Sequence, residues 1–172
     1  MRWQSIWTIA AATTLAVTMM AIPVEMKAQA GTVLKAADTQ KMLPASVYYK
    51  GQSAPTQLRN SGGVKFADGL YVLATMVDNS GYASDVQAKY QAYFIAETGI
   101  KLGEKNLPAG VYGIGFIAGN KLVVTDVGAQ EVFTVDTKDD AGLKRPMPLQ
   151  VMADPSAGFR LYSGRRYVIF TR

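Results

Sequence analysis

The hydrophobic pattern along the chain divides into two parts with different spacing. Residues 6–22 form one uncharged run of apolar and small side chains, which follows a single basic residue, Arg2. Beyond Pro44 the apolar residues come in short runs, separated by turn-forming Gly, Pro, Asn, Asp and Ser. The first pattern is typical of an export signal, and the second is typical of short β-strands joined by turns.

The apolar run ends at Pro23, and Ala28 and Ala30 supply the small-x-small pattern that signal peptidase cleaves. The alternative is a retained membrane anchor, but the run is at the short end of what crosses about 30 Å of hydrocarbon, and no basic cluster follows it. The absence of cysteine excludes a lipid-linked lipoprotein. We therefore predict that residues 1–30 are a signal peptide cleaved near Ala30. The protein would then be exported, to the periplasm or outside the cell, without an integral membrane segment.

The remaining chain, residues 31–172, is long enough for one domain with one core. Because it has no cysteine, its stability must come from apolar burial and not from disulfides. Strands that recur about every 10–12 residues favour an antiparallel all-β fold over parallel βαβ units. We predict a single antiparallel β-barrel or β-sandwich of about eight to ten short strands. A short helical turn within 36–43 precedes these strands.

Three other segments allow more than one interpretation. Residues 70–77 are apolar on both faces, which predicts a strand that is covered on both sides. The stretch that contains Pro55 and residues 60–63 is rich in turn formers, so we predict turns there. Residues 87–97 have helix-like spacing of their aromatic side chains, but their enrichment in Tyr, Phe and Ile favours a strand.

The segment 111–117 is the most distinctive one in the chain. If it is a strand, the two glycines share one face and leave a bare strip, where a ligand or a neighbouring side chain can approach closely. A small-molecule groove and a packing site for rings such as Tyr90 or Phe94 are the two alternatives. The candidate groove residues are Tyr112, Gly113, Gly115 and Phe116.

Basic residues concentrate near the end of the chain, where residues 144–172 carry six cations and one acid, Asp154. Such a region could bind an anionic envelope component, such as lipid headgroups or polysaccharide, or it could be an ordinary solvated surface. We do not expect nucleic acid as a partner, because no recognition helix or aromatic RNA-binding signature accompanies the charge. The candidate patch residues are Arg160, Arg165 and Arg166.

Histidine and cysteine are both absent, which excludes Ser-His and Cys-His nucleophiles and the usual zinc ligand sets. We predict no catalytic residue, no metal and no cofactor. A hydrolase that uses two carboxylates remains an alternative, and a small outer-membrane barrel is another. The strands of about 5–8 residues are shorter than the 9–11 that a membrane-spanning strand needs. The acids available for a carboxylate pair are Glu97, Asp126, Glu131 and Asp136.

The stretch NLPAGVYGIGFIAGNKLVVTDVG, residues 106–128, resembles segments of small exported bacterial proteins of no assigned function. The resemblance implies export and a β-rich fold, and it implies no activity, site or cofactor. The function that we predict from the sequence is therefore binding without catalysis. The bound partner would be a small molecule or an anionic component of the cell envelope.

Overall fold

A computed structural model describes residues 31–172, and the predicted signal peptide lies outside this range. Within the range the chain forms fourteen strands and two short helices. The helices are α1 (Ala36–Thr39) and α2 (Ser84–Lys89). The strands are β1 (Gly31–Leu34), β2 (Ser46–Tyr49), β3 (Gln52–Phe66), β4 (Tyr71–Val77), β5 (Ala92–Ala96), β6 (Ile100–Leu102), β7 (Lys105–Leu107), β8 (Gly110–Ile117), β9 (Lys121–Thr125), β10 (Glu131–Asp136), β11 (Lys138–Asp139), β12 (Met147–Ala153), β13 (Phe159–Gly164) and β14 (Arg166–Thr171).

The strands form two antiparallel sheets. The larger sheet has the order β1-β3-β4-β5-β8-β9-β10, with β2 also pairing with β3. The smaller sheet has the order β12-β13-β14-β6-β7, with β11 pairing with β14. The predicted antiparallel all-β fold is confirmed. Neither sheet closes on itself, so the barrel alternative is corrected to two open sheets. The described residues form fourteen strands, more than the eight to ten that we predicted.

One hydrophobic core is shared by both sheets. The larger sheet contributes Phe94 and Ile114, and the smaller sheet contributes Leu161 and Phe170, all of them fully buried. Burial of apolar area on this scale contributes about 25 cal/mol per Å² removed from water. The shared core holds the two sheets face to face without any disulfide.

The two sheets come closest where β3 passes β12. A Cβ atom on Gly62 would lie only 3.1 Å from the backbone nitrogen of Val151, so a glycine permits this approach. As a result β12, an edge strand of the smaller sheet, runs beside β1 and β3 of the larger one. The edges of the two sheets therefore meet along β1 and β12.

The outer face of the larger sheet carries a second apolar cluster, built by β2, α2 and the strands beneath them. It includes Tyr49, Tyr82 and Tyr90, which we call the tyrosine cap. In β4, Val72 packs in the main core while Val77 packs in this second cluster. The prediction that residues 70–77 form a strand covered on both sides is confirmed.

Two other predictions of secondary structure are corrected. Residues 87–97 are not one strand, because α2 continues to Lys89 and β5 begins at Ala92. The side-chain amide of Asn79 donates to the carbonyls of Gln87 and Tyr90, at 3.0 and 2.7 Å, and so binds the backbone groups that the end of the helix leaves free.

The stretch around residues 60–63 is part of the long strand β3 and not a set of turns. A register shift between Gln57 and Ser61 accommodates the irregular residues as a bulge. A Cβ atom on Gly63 would lie 2.8 Å from the Leu73 side chain, so the glycine is required by packing and not by a turn. The predicted helical turn is confirmed as α1, but β1 precedes it.

Neither helix within residues 31–172 is long and apolar enough to cross a membrane.

Candidate functional site

The bare strip on β8 is filled by other parts of the chain. A Cβ atom on Gly113 would lie 2.7 Å from the Tyr90 ring and 2.9 Å from the Tyr49 ring. A Cβ atom on Gly115 would lie 2.7 Å from the carbonyl carbon of Lys89, at the end of α2. Of the two alternatives for the strip, the structure shows the close packing of neighbouring rings, including the Tyr90 ring.

The tyrosine cap is a compact aromatic group over this strip. The Tyr49 and Tyr90 rings stack with centroids 3.6 Å apart, and the Tyr82 ring meets both of them edge-on. The Tyr49 hydroxyl is 2.8 Å from the Thr125 hydroxyl, and the Tyr82 hydroxyl donates to the Tyr49 carbonyl at 3.1 Å. Burial raises the pKa of all three phenols. The cap therefore stays neutral at physiological pH, and its role is to cover the outer face of the sheet.

The other two candidate groove residues lie on the opposite face of β8, as strand alternation requires. Phe116 is buried in the main core, and its backbone N–H donates to the Gln91 side chain at 3.0 Å. Tyr112 packs at the margin of that core and donates its hydroxyl to the Pro108 carbonyl at 3.0 Å. The four residues are thus neighbours on one strand, but they are divided between two packed faces.

Two of the three candidate patch arginines bind backbone carbonyls. Arg166 donates to the carbonyls of Ile117 and Phe116 at 2.8 and 3.0 Å, with its guanidinium 5.7 Å from the centre of the Phe116 ring. Arg165, which is exposed, donates to the carbonyls of Ala141 and Leu143. These contacts tie the β13–β14 hairpin to its neighbouring segments.

Arg160 belongs to a partly buried polar group with two acids and two tyrosines, which we call the arginine clamp (Arg160, Asp140, Asp154, Tyr162 and Tyr167). Its Nε lies 2.5 Å from an Asp154 oxygen and its Nη1 3.5 Å from an Asp140 oxygen. The guanidinium stacks 4.5 Å from the centre of the Tyr167 ring, and the Tyr162 hydroxyl donates to Asp140 at 2.8 Å. The hydrogen bonds that Arg160 donates to the Tyr162 hydroxyl and to Asp154 raise the pKa of Arg160. The guanidinium is therefore bound by acids and tyrosines of the protein itself.

Asp154 is the more enclosed of the two acids in the clamp, with 1% of its side chain exposed against 25% for Asp140. Burial alone would raise its pKa, but the Ser156 hydroxyl, Arg160 and the backbone N–H groups of Ser156 and Ala157 all donate to the carboxylate. These donors outweigh the burial, so the pKa of Asp154 is lowered. The carboxylate is ionised, and it orders the loop between β12 and β13.

The acids considered for a hydrolase are each bound to nearby groups of the protein. Glu97 accepts from the backbone N–H of Tyr71, and Asp126 accepts from the backbone N–H groups of Gly128 and Gln130. Glu131 accepts from the Thr134 hydroxyl, and Asp136 lies 2.5 Å from the Lys121 ammonium. In the part of the chain that the structure describes, no three acids gather to form a possible metal site.

A groove lies where the edges of the two sheets meet, and we call it the β1–β12 groove. Its volume is about 610 Å³, within the range of about 300–1,000 Å³ that is usual for small-molecule sites. One wall is β12, the other is the end of β1 with the start of α1, and Ser61 of β3 completes the lining. The lining residues are Val33, Leu34, Lys35, Ala36, Ala37, Ser61, Met147, Leu149, Gln150, Val151, Met152 and Ala153.

The chemistry of this groove is mainly apolar. Leu149 and Val151 connect its lining to the main core. Met147 and Met152 line the groove and are 41% and 40% exposed. Methionine is flexible and polarisable, and it is over-represented on surfaces that adapt to different apolar partners. The groove can therefore accept an apolar ligand with little reorganisation of the backbone.

A second cavity, of about 420 Å³, opens between β10 and β14. Its lining includes four charged residues, Glu104, Lys105, Asp136 and Lys138. Glu104 and Asp136 are already paired with Lys101 and Lys121. Because this cavity is smaller and has a charged, solvated rim, the β1–β12 groove is the better candidate for a binding site.

Sequence reasoning missed the groove. The signal that was available is the pair of methionines near the two ends of β12. What the sequence did not show is the opposite wall, because no strand was predicted before the helical turn within 36–43.

Comparisons of the chain with family models, curated proteins and solved structures found no match.

Proposed function

We propose that the protein is an exported, non-catalytic binding protein, which holds a small apolar ligand in the β1–β12 groove. The observation that carries the proposal is an open groove of about 610 Å³ whose lining has eleven uncharged residues and one charged residue. Burial of a ligand in an apolar groove is favourable by about 0.8 kcal/mol per methylene removed from water. This replaces the groove that the sequence suggested around Gly113, where the tyrosine cap occupies the space.

Export is supported by the apolar run of residues 6–22 and by the small residues Ala28 and Ala30. Cleavage after Ala30 would leave Gly31, which pairs with Phe66 of β3, in the mature chain. An apolar-ligand carrier is also useful in an aqueous compartment outside the cytoplasm, where such ligands are poorly soluble.

Export predicts a defined amino terminus for the recovered protein. When the full chain is expressed in a Gram-negative host, we expect the periplasmic fraction to contain a protein whose intact mass starts at Gly31. Replacement of Ala28 and Ala30 by Arg should leave the longer, unprocessed chain, because the larger side chains do not fit the peptidase pocket. A full-length, cytoplasmic wild-type protein would contradict export.

Filling the groove should abolish binding of an apolar probe. N-phenyl-1-naphthylamine, a neutral dye that fluoresces in apolar surroundings, should bind the purified wild-type protein saturably. We expect Ala37→Trp to weaken this binding at least tenfold, because Ala37 lines the groove and is exposed enough to accept a larger side chain.

The matched control is Ala45→Trp. Ala45 is also an exposed alanine in the same part of the chain, but it does not line the groove. Equal dye binding by both variants and the wild type would contradict the proposed function. An absence of dye binding by the folded wild-type protein would also contradict it.

A further inference from the structure

We propose that the ligand of the β1–β12 groove is a single-chain anionic amphiphile, with its hydrocarbon chain along β12 and its negatively charged head at Lys35. This inference rests on the proposed function and adds the chemical class of the ligand.

The charge in the groove lining is positive. Lys35 is the only charged residue in the lining, and the lining contains no carboxylate. None of the ion pairs within residues 31–172 involves Lys35. The nearby acid Asp38 accepts the backbone N–H of Lys35 at 3.1 Å. A cation beside apolar walls favours a ligand that brings an anion.

The two uncharged polar side chains of the lining contact groups of the protein. The Ser61 hydroxyl lies 2.7 Å from the Thr39 hydroxyl and donates to the Leu58 carbonyl at 2.5 Å. The Gln150 side chain donates to the Arg145 carbonyl at 3.5 Å. Among the lining side chains, Lys35 therefore supplies the main polar contact for a ligand.

The shape of the groove favours a chain over a compact ring system. Its β12 wall includes Met147 at one end of the strand and Ala153 at the other. At about 3.3 Å per residue, a strand of this length spans roughly 20 Å. Lys35 lies on the opposite wall, where β1 passes into α1. A chain that follows β12 therefore stays within a groove that Lys35 also lines.

The test is displacement of N-phenyl-1-naphthylamine by linear amphiphiles below their micelle concentrations. We expect carboxylates of 8, 10 and 12 carbons to bind progressively more tightly, by about three- to fourfold per methylene. Dodecanoate should bind about fivefold more tightly than dodecanol at low salt, and the difference should shrink at high salt. Dodecyl phosphate, included beside dodecanoate, distinguishes a phosphate head from a carboxylate head.

Lys35→Gln should remove the preference for dodecanoate over dodecanol, with each displacement measured against the affinity of that variant for the dye. Lys41→Gln is the matched control, since Lys41 is an exposed lysine nearby that does not line the groove. The inference would be overturned if the protein bound the dye but did not prefer anionic chains, or if the preference survived Lys35→Gln. Either result would leave the proposed function standing.

An absence of dye binding would overturn the inference and the proposed function together. If the protein were a dimer that Ala37→Trp dissociates, a second copy of the chain would fill the groove, which would also overturn the inference.

Discussion

Gly115→Ala is expected to destabilise the protein by about 3 kcal/mol, even though it adds only one methyl group. The new Cβ atom would lie 2.7 Å from the carbonyl carbon and 2.9 Å from the Cα atom of Lys89. Because these are backbone atoms at the end of α2, no rotation of a side chain relieves the clash. Overpacking a filled site typically costs 1–3 kcal/mol, and a backbone neighbour places this site near the upper end.

The measurement is the midpoint of urea or thermal unfolding, with Gly81→Ala as the control. Gly81 lies in the turn that leads toward α2, and a Cβ atom there would meet nothing within 4 Å. We expect the control to change the free energy of unfolding by less than about 0.5 kcal/mol. If Gly115→Ala were as stable as this control, α2 would not pack on β8 as described. The groove should still bind its ligand in folded Gly115→Ala, because α2 does not line it.

Asp154→Asn is expected to reduce the free energy of unfolding by about 3 kcal/mol and the melting temperature by roughly 10 °C. The substitution leaves the Arg160 guanidinium without its closest acid and weakens the loop that Asp154 orders through Ser156 and Ala157. Removing one partner of a buried ion pair usually costs 3–5 kcal/mol, and the partial exposure of Arg160 places this pair at the lower limit. The control is Asp139→Asn, at an exposed position, which should be nearly neutral.

The same substitution should change how stability depends on pH. The folded-state pKa of Asp154 is lowered below its unfolded value of about 3.9, so the unfolded state binds more protons in acid. The stabilisation is therefore complete above about pH 5 and is lost progressively as the pH falls through the unfolded value toward the lower folded-state pKa. Wild-type protein should lose stability steeply in this range, and Asp154→Asn should lose less. Parallel curves for the two proteins would show that the carboxylate is not held as described.

The β8 segment shows how far the sequence could be interpreted correctly. Strand alternation placed Gly113 and Gly115 on one face and Tyr112 and Phe116 on the other, and the structure has this arrangement. What fills the strip is decided by contacts between distant parts of the chain. Tyr49 and Lys89 reach it from β2 and α2, and no local pattern records that contact.

The segment 87–97 was misjudged because its aromatic residues serve two different cores. Tyr90 packs in the tyrosine cap and Phe94 packs in the main core. The helix-like spacing therefore describes the first part of the segment, which belongs to α2, and the strand-like composition describes the second part, which forms β5. The break falls where Asn79, a residue outside the segment, binds the end of α2.

The contacts of Arg160 and the β1–β12 groove could not be predicted from local sequence patterns either, because both depend on segments that are distant in the chain. Charge counting found Arg160, but it could not show that Asp140 and Asp154 converge on its guanidinium. The glycines of β3 indicated turns, whereas packing against Leu73 and Val151 requires them within a strand. The groove exists only because β3 brings β1 beside β12, and these two strands are far apart in the sequence.

The most direct test of the account is a crystal structure of the purified protein grown with dodecanoate. The account predicts a continuous chain of density between β1 and β12, in contact with Met147, Met152 and Ala37, and a carboxylate within hydrogen-bonding distance of the Lys35 ammonium. A ligand bound instead against β8, or a groove closed by the protein's own side chains, would contradict it.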